Sequence, residues 1–298
     1  MNRVSEGTRA SIHEILPVVS VMEGEGFLVH RPFPRWGLSY IDPFLLLDEF
    51  GPVKFAPGEA KGTGAHPHKG FEILSYILKG GFCHQDSLGN LAVLNEGDVQ
   101  LMTAGRGIVH KEQPIDEVKQ NGGWMHGFQV WINLPAQKKN LQPSYQDIRA
   151  AQIPVYVSAE GNVKIKVIVG EAFGVRSPIQ MQTPIEYHHY FLKPNAQVTI
   201  PVKHTYNTFL YPVAGSFMLN DCEEIARGAV PLLAKDGDHI TVGNASNTLA
   251  EFIFFSGEPL GESVARYGPF VMNTEEELHQ AFREYQCGAM GELNDEVA

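Results

Sequence analysis

The residues best able to do chemistry are concentrated between Gly64 and Gln113. The stretch opens His66-Pro67-His68-Lys69-Gly70-Phe71-Glu72 and closes Gly105-Arg106-Gly107-Ile108-Val109-His110-Lys111-Glu112. On an extended strand, residues i and i+2 point to the same face. His66 and His68 therefore share a face, as do His110 and Glu112, and two such pairs on neighbouring strands of a small barrel would converge on one point. Imidazoles and a carboxylate are borderline-hard donors that suit Fe(II), Mn(II), Cu(II), Ni(II) or Zn(II). His-x-His alone also arises by chance; the second pair, His-x-Glu after a Gly97-Asp98 turn, is what favours a metal site over unrelated histidines. A helical His-Glu-x-x-His site is excluded, because Pro67 and Gly70 break a helix here. Glu72 has the parity of His66 and His68, so spacing alone leaves the carboxylate ligand open between Glu72 and Glu112. The one not used as ligand would orient a histidine, or serve as a catalytic base.

Strands must position these pairs. Ile73–Leu78 is a strand-like apolar run, Phe82–Asp86 and Leu91–Leu94 flank a hairpin turn at 87–90, Val99–Met102 follows, and Trp124–Leu134 alternates as a half-buried strand. Upstream, strands are expected around 15–21 and 26–30, and the Asp42–Gly51 run reads as a buried strand. Downstream, the expected strands are Val163–Val169, Tyr187–Leu192, Gln197–Ile200, Thr208–Val213 and Ala250–Phe255. With 30 glycines and 19 prolines the chain is rich in turns, as in an all-β protein. Near the end, Thr274 and Glu277 form a capping-box pattern with glutamates in the first turn. That predicts a helix running to about Gln286 and stopping at Gly288, whose apolar side (Leu278, Ala281, Phe282, Tyr285) docks on a barrel.

At 298 residues the chain is long enough for two domains, and 43% hydrophobic content supports a packed core. The net charge of -11 argues against direct binding to nucleic acid phosphates. No apolar run approaches the roughly 20 residues of a membrane span, and the first sixteen residues lack the apolar segment of a signal peptide. Cys83, Cys222 and Cys287 are few and far apart, which points away from a disulfide framework and towards a reducing cytoplasm. The best linker is 135–150, dividing an N-terminal metal-binding domain at 1–134 from a second β domain at 151–260 and a tail with the helix at 261–298.

Other polar residues are weighed against structural roles. Asp48 and Glu49 suit a turn better than the metal pocket, His126 suits the core, and Arg106 is as well explained by a salt bridge as by steering an anionic substrate. The two halves look related: Tyr76–Phe82 matches Tyr211–Phe217, and Gly97-Asp98 matches Gly237-Asp238. Those offsets set Pro201, Lys203 and Asn207 opposite His66, His68 and Glu72, and Ala250 and Phe252 opposite His110 and Glu112. The second half is then expected to be metal-free, with His188, His189 and His204 as ordinary histidines.

The segments Asp42–Gly51, His66–Glu72, Met102–Glu112, Gln129–Leu134 and Gly268–Thr274, taken together, resemble the pirin family of bicupin proteins. The resemblance spans nearly the whole chain. It implies the cupin fold, with two face-to-face β-barrels, a C-terminal helix and one metal in the N-terminal barrel. It places the family's ligands on His66, His68, His110 and Glu112, leaving Glu72 as a pocket residue or base. Ile108 stands where cupins in general have a further histidine, a departure that is itself pirin-like.

Some members of the family are similar to quercetin 2,3-dioxygenases, whereas eukaryotic members look like iron-dependent transcriptional cofactors. The first reading is an oxidoreductase that opens a flavonol-like ring with O₂, using one divalent metal, Fe(II) first, with Cu, Mn, Ni or Zn open. Glu112 or Glu72 would act as base, and Phe44, Phe71, Met102 and Arg106 would line the substrate pocket. The alternative is a non-enzymatic regulator whose metal sets a surface for a protein partner. A closed structural metal site is disfavoured, because such sites are usually rich in cysteine.

Overall fold

A computed structural model describes residues 7–24 and 26–293. The described residues divide into two units: one within 20–152 together with 260–293, the other 7–19 together with 153–259.

In the first unit a seven-stranded sheet runs in the order Ser144–Ile148, Val99–Thr103, Phe71–Lys79, Gly123–Asn133, Phe44–Phe55, Phe27–Phe33, Val19–Glu23. A four-stranded sheet runs Thr63–His68, Ile108–Pro114, Phe82–Asp86, Leu91–Leu94. The second unit repeats this plan. Its seven-stranded sheet runs Ile12–Pro17, Ala229–Leu233, Asn207–Ala214, Ala250–Gly257, Ile185–Leu192, Val163–Val169, Val155–Val157, and its four-stranded sheet Gln197–Pro201, His239–Gly243, Ser216–Leu219, Glu223–Ala226.

The boundaries differ from those expected at 134 and 151. Ile12–Pro17 pairs with Ala229–Leu233, so the chain's first strand completes the second unit's sheet. Ser144–Ile148 fills the equivalent edge in the first unit by pairing with Val99–Thr103, so the expected linker holds a sheet strand. Residues 260–293 return to the first unit. Each edge strand satisfies its backbone groups on a sheet distant in sequence, and no local pattern reveals which.

The internal repeat is real in topology, but its expected pairing needs correction. Strand Ala250–Gly257 corresponds to Gly123–Asn133, and the counterpart of the His110 strand is His239–Gly243. The strand paired with it, Gln197–Pro201, is the counterpart of Thr63–His68. In this pair Val198 faces Val242 and Ile200 faces Ile240, where the first unit sets His66 against His110 and His68 against Ile108. All four aliphatic residues are buried in one core with Tyr190, Phe217, Phe252 and Phe254.

The helix spans Glu275–Gln286, and both hydrogen bonds of its capping box form, from Glu277 N–H to the Thr274 side chain and from Thr274 N–H to the Glu277 carboxylate. Its Leu278 and Ala281 pack with Val109, Ala265, Phe270 and Met272. Buried Lys69 joins it to the ligand strand, donating to Glu284 Oε2 at 2.8 Å and to the Arg106 carbonyl at 2.7 Å.

Candidate functional site

The Thr63–His68 and Ile108–Pro114 strands are neighbours, and their register sets His110 directly against His66. Ring centroids lie 4.4 Å apart for His66 and His110, 4.8 Å for His66 and His68, and 4.9 Å for His68 and His110. One nitrogen from each ring lies within 4.8 Å of the others. His66 Nδ1 must donate to the Gly64 carbonyl at 2.8 Å, which leaves its Nε2 lone pair facing His110 Nε2 at 2.9 Å. Burial, reinforced by His66, holds His68 well below the usual imidazole range, with the Pro269 carbonyl pulling the other way. Burial, then His68, His66 and His84, does the same for His110. His68 Nδ1 and His110 Nδ1 are buried without a hydrogen-bond partner. Neutral imidazoles that bring one nitrogen each to a common point fit a divalent cation.

On the other side of the His110 strand lies Phe82–Asp86, whose register places His84 opposite Glu112 and Asp86 opposite His110. His84, His110 and Glu112 also bring one ligand atom each within 4.8 Å of one another. His84 is the residue that sequence reasoning missed. Its Nε2 lies 3.1 Å from Asp86 Oδ2 and its Nδ1 3.3 Å from Gln100 Nε2, and its ring stacks on Tyr145 with centroids 4.8 Å apart. Both nitrogens are engaged, so His84 supports the cluster better than it extends it. Burial alone would raise Asp86; His84 and Asn90 outweigh it and hold the carboxyl below its ordinary range. Glu112 is oriented from the opposite sheet: Gln129 Nε2 donates to its Oε2 at 3.1 Å, and Trp131 Nε1 donates to Gln129 Oε1 at 3.3 Å.

The histidines open on a cavity of about 580 Å³ lined by His66, His68, Glu112, Gln100, Gln129 and Trp131, with Val29, Leu46, Phe50, Ile77, Phe82 and Leu94 forming an apolar wall. The same lining includes Arg31, Asp48 and Arg266. Arg31 pairs with both oxygens of Asp48 at 2.6 Å and with Glu23 at 2.7 Å. Burial pushes the Asp48 carboxyl up, against the pull of Arg31. Asp48 therefore belongs to the cavity rather than to a turn. Glu49, its neighbour on the opposite face, bonds His126 Nε2 at 2.8 Å, and His126 is the buried core histidine expected.

Several expected pocket residues are elsewhere. Glu72 does not line the cavity. It is fully buried and accepts from Thr103 Oγ1 at 2.9 Å, on the face of its strand opposite Ser75 and Ile77, which do line it. The parity argument fails at Gly70, where φ is 91° and any Cβ would collide with the Val271 carbonyl oxygen; the chain turns there and enters the other sheet. Phe71 and Met102 are outside the lining, buried in one cluster with Trp131, Phe71 stacking on it with centroids 4.3 Å apart. Phe44 is buried outside the lining, and Arg106 is exposed.

The fold and this cluster define a protein of two cupin domains, one of which carries donors fit for a metal ion. Residues 26–132 match the family described as Pirin, and residues 187–291 match the Pirin C-terminal cupin domain. Pirin-like protein 2 of Arabidopsis thaliana is 38% identical over 276 residues, covering 90% of this chain and 82% of its own. Human Pirin is 37% identical over 272 residues, covering 90% of each chain. A crystal structure of quercetin 2,3-dioxygenase from Acinetobacter baumannii superposes with a TM-score of 0.88 at 31% identity, over 95% of this chain and 99% of that one. The chain belongs to the pirin family.

Proposed function

We propose that the protein is a mononuclear metal-dependent oxidoreductase of the quercetin 2,3-dioxygenase type, opening a flavonol-like ring with O₂. The observation that carries this reading is the opening of the histidine cluster onto a large, mostly apolar cavity. A purely structural ion needs no such space, whereas a flat polyphenol needs an apolar slot with a few polar groups at one end. Likeness to the Acinetobacter enzyme supports the same chemistry.

His66, His68, His110 and Glu112 would hold one divalent ion, Fe(II) first among the candidates. Bound there, the ion supplies Lewis acidity and a template for both reactants. Glu112 takes the proton of the flavonol 3-hydroxyl. Gln129 Nε2 donates to Glu112 Oε2 and holds the carboxylate in orientation. Glu72 has no part in the reaction, because it faces away from the cavity. The apolar wall formed by Phe50, Phe82, Ile77 and Leu94 excludes water from the ring being opened. The unpaired cysteines suit a reducing cytoplasm.

The test is O₂ uptake on quercetin after anaerobic reconstitution with Fe(II) and, separately, with Cu(II), Mn(II) and Ni(II). Catalytic uptake should be lost together with the metal in His66→Ala. Full metal occupancy without uptake for every ion would overturn the dioxygenase reading and favour the regulator.

A further inference from the structure

Two guanidiniums line the cavity, and they are not equivalent. Arg31 is paired with two carboxylates, Asp48 on its Nε and Nη2 and Glu23 on the same Nη2. Arg266 has no carboxylate in ion-pair contact among the described residues. Its Nη1 donates to the Leu45 carbonyl at 3.0 Å, and its guanidinium carbon stands 4.9 Å from the centre of the Trp131 ring. Trp131 is itself fixed from its other neighbours by the stacked Phe71 and by the edge of His68. The guanidinium is therefore held in orientation before any ligand arrives, and its remaining N–H donors are not sealed in the protein interior.

The charges point the same way. The cavity is lined by the carboxylates Glu23, Asp48 and Glu112 and the guanidiniums Arg31 and Arg266. With neutral histidines that is one negative charge in excess, and a divalent ion turns it into one positive charge. A monoanionic ligand would cancel it. A planar guanidinium fixed by a ring face presents an edge that matches a carboxylate with two parallel hydrogen bonds.

We propose that Arg266 is a specificity residue that selects a flat aromatic ligand carrying a carboxylate remote from its metal-chelating oxygens. The ligand sets its chelating end at the histidines and its carboxylate on Arg266. This rests on the reading of the cavity as the substrate pocket.

The probes are 3-hydroxyflavone and its 4′-carboxylate, which differ only in the group that Arg266 would recognise. Binding is measured by fluorescence on Zn(II)-loaded protein, where no turnover intervenes, and O₂ uptake is measured separately on Fe(II)-loaded protein. The carboxylate should bind about 10- to 100-fold more tightly than the neutral probe, the range of a charge-assisted hydrogen bond. In Arg266→Gln that preference should shrink to within about twofold, with Arg266→Lys intermediate. An unchanged affinity for the neutral probe in both variants shows that the pocket has not collapsed. Equal affinities in the wild type, or a preference that survives Arg266→Gln, would overturn the proposal and leave the dioxygenase reading intact. An Arg266-dependent preference without O₂ uptake upholds the proposal and removes the dioxygenase. Failure of both probes to bind overturns both.

Discussion

Strand Ile108–Pro114 of the first barrel and strand His239–Gly243 of the second hold the same place in the same topology. One carries Ile108, His110 and Glu112; the other carries Ile240 in the place of Ile108 and Val242 in the place of His110, both fully buried. Opposite them, His66 and His68 give way to Val198 and Ile200. The first barrel leaves about 580 Å³ open beside its histidines, while the second closes its interior with Tyr190, Phe217, Phe252 and Phe254. A handful of inward positions thus decides between a site and a core. The aliphatic choice gains the burial energy of close packing. The histidine choice gives that up for lone pairs facing a cavity.

The sharpest way to break this contrast is to cut equivalent aromatic mass from each interior. Phe252 is fully buried, stacked on Tyr190 with centroids 4.8 Å apart. Phe252→Ala should cost about 3–5 kcal/mol by urea unfolding. Phe82 borders the cavity, so part of its surface already lacks packing partners. Phe82→Ala should cost less than about half as much. Equal losses would mean that the first barrel's cavity is not an open space in solution.

A second comparison concerns the ion. At about 100 times its dissociation constant, Zn(II) should stabilise the wild type by about 2.7 kcal/mol. His110→Ala should lose that increment. Val242→Ala, at the matching position of the second barrel, should be less stable by about 2 kcal/mol yet keep the full increment. Loss of the Zn(II) effect in Val242→Ala would show that the second barrel does take part in binding.

Much of this contrast is legible in the sequence, because period-two alternation and His-x-His spacing are local signals. The strands Phe82–Asp86, Leu91–Leu94 and Val163–Val169 fall where their patterns put them, and the Thr274 capping box fixes the helix start. What is not legible depends on long-range pairing. Nothing near residue 12 announces a partner at residue 233, and nothing in Ser144–Ile148 separates an edge strand from a linker. The Glu72 error is of the same kind: parity counts only within one strand, and Gly70 ends the strand between His68 and Glu72. His84 is legible in the same local way, since His84-x-Asp86 has the same i, i+2 form as His66-x-His68 and His110-x-Glu112. Arg266 is not, because it reaches the cavity from a segment that returns from the end of the chain.

The smallest expected effect concerns the helix, for which the second barrel has no counterpart among the described residues. Lys69 follows ligand candidate His68 directly, and among the described residues its carboxylate partner is Glu284 at 2.8 Å. Burial would raise the Glu284 carboxyl, but the Lys69 ammonium and Gln280 outweigh it and hold it below its usual range. A carboxyl with a depressed folded-state pKa stabilises above its unfolded value, about 4.3, and that contribution is lost as pH falls through the folded value. Glu284→Gln should therefore lower stability by no more than about 1 kcal/mol at neutral pH, since the pair is partly exposed. That corresponds to a Tm about 2–4 °C lower. The gap between wild type and variant should close as both are acidified below the depressed pKa. A gap that persists at low pH would mean the helix is held by its apolar contacts with Phe270 and Met272 alone, and that the ligand strand owes nothing to this ion pair.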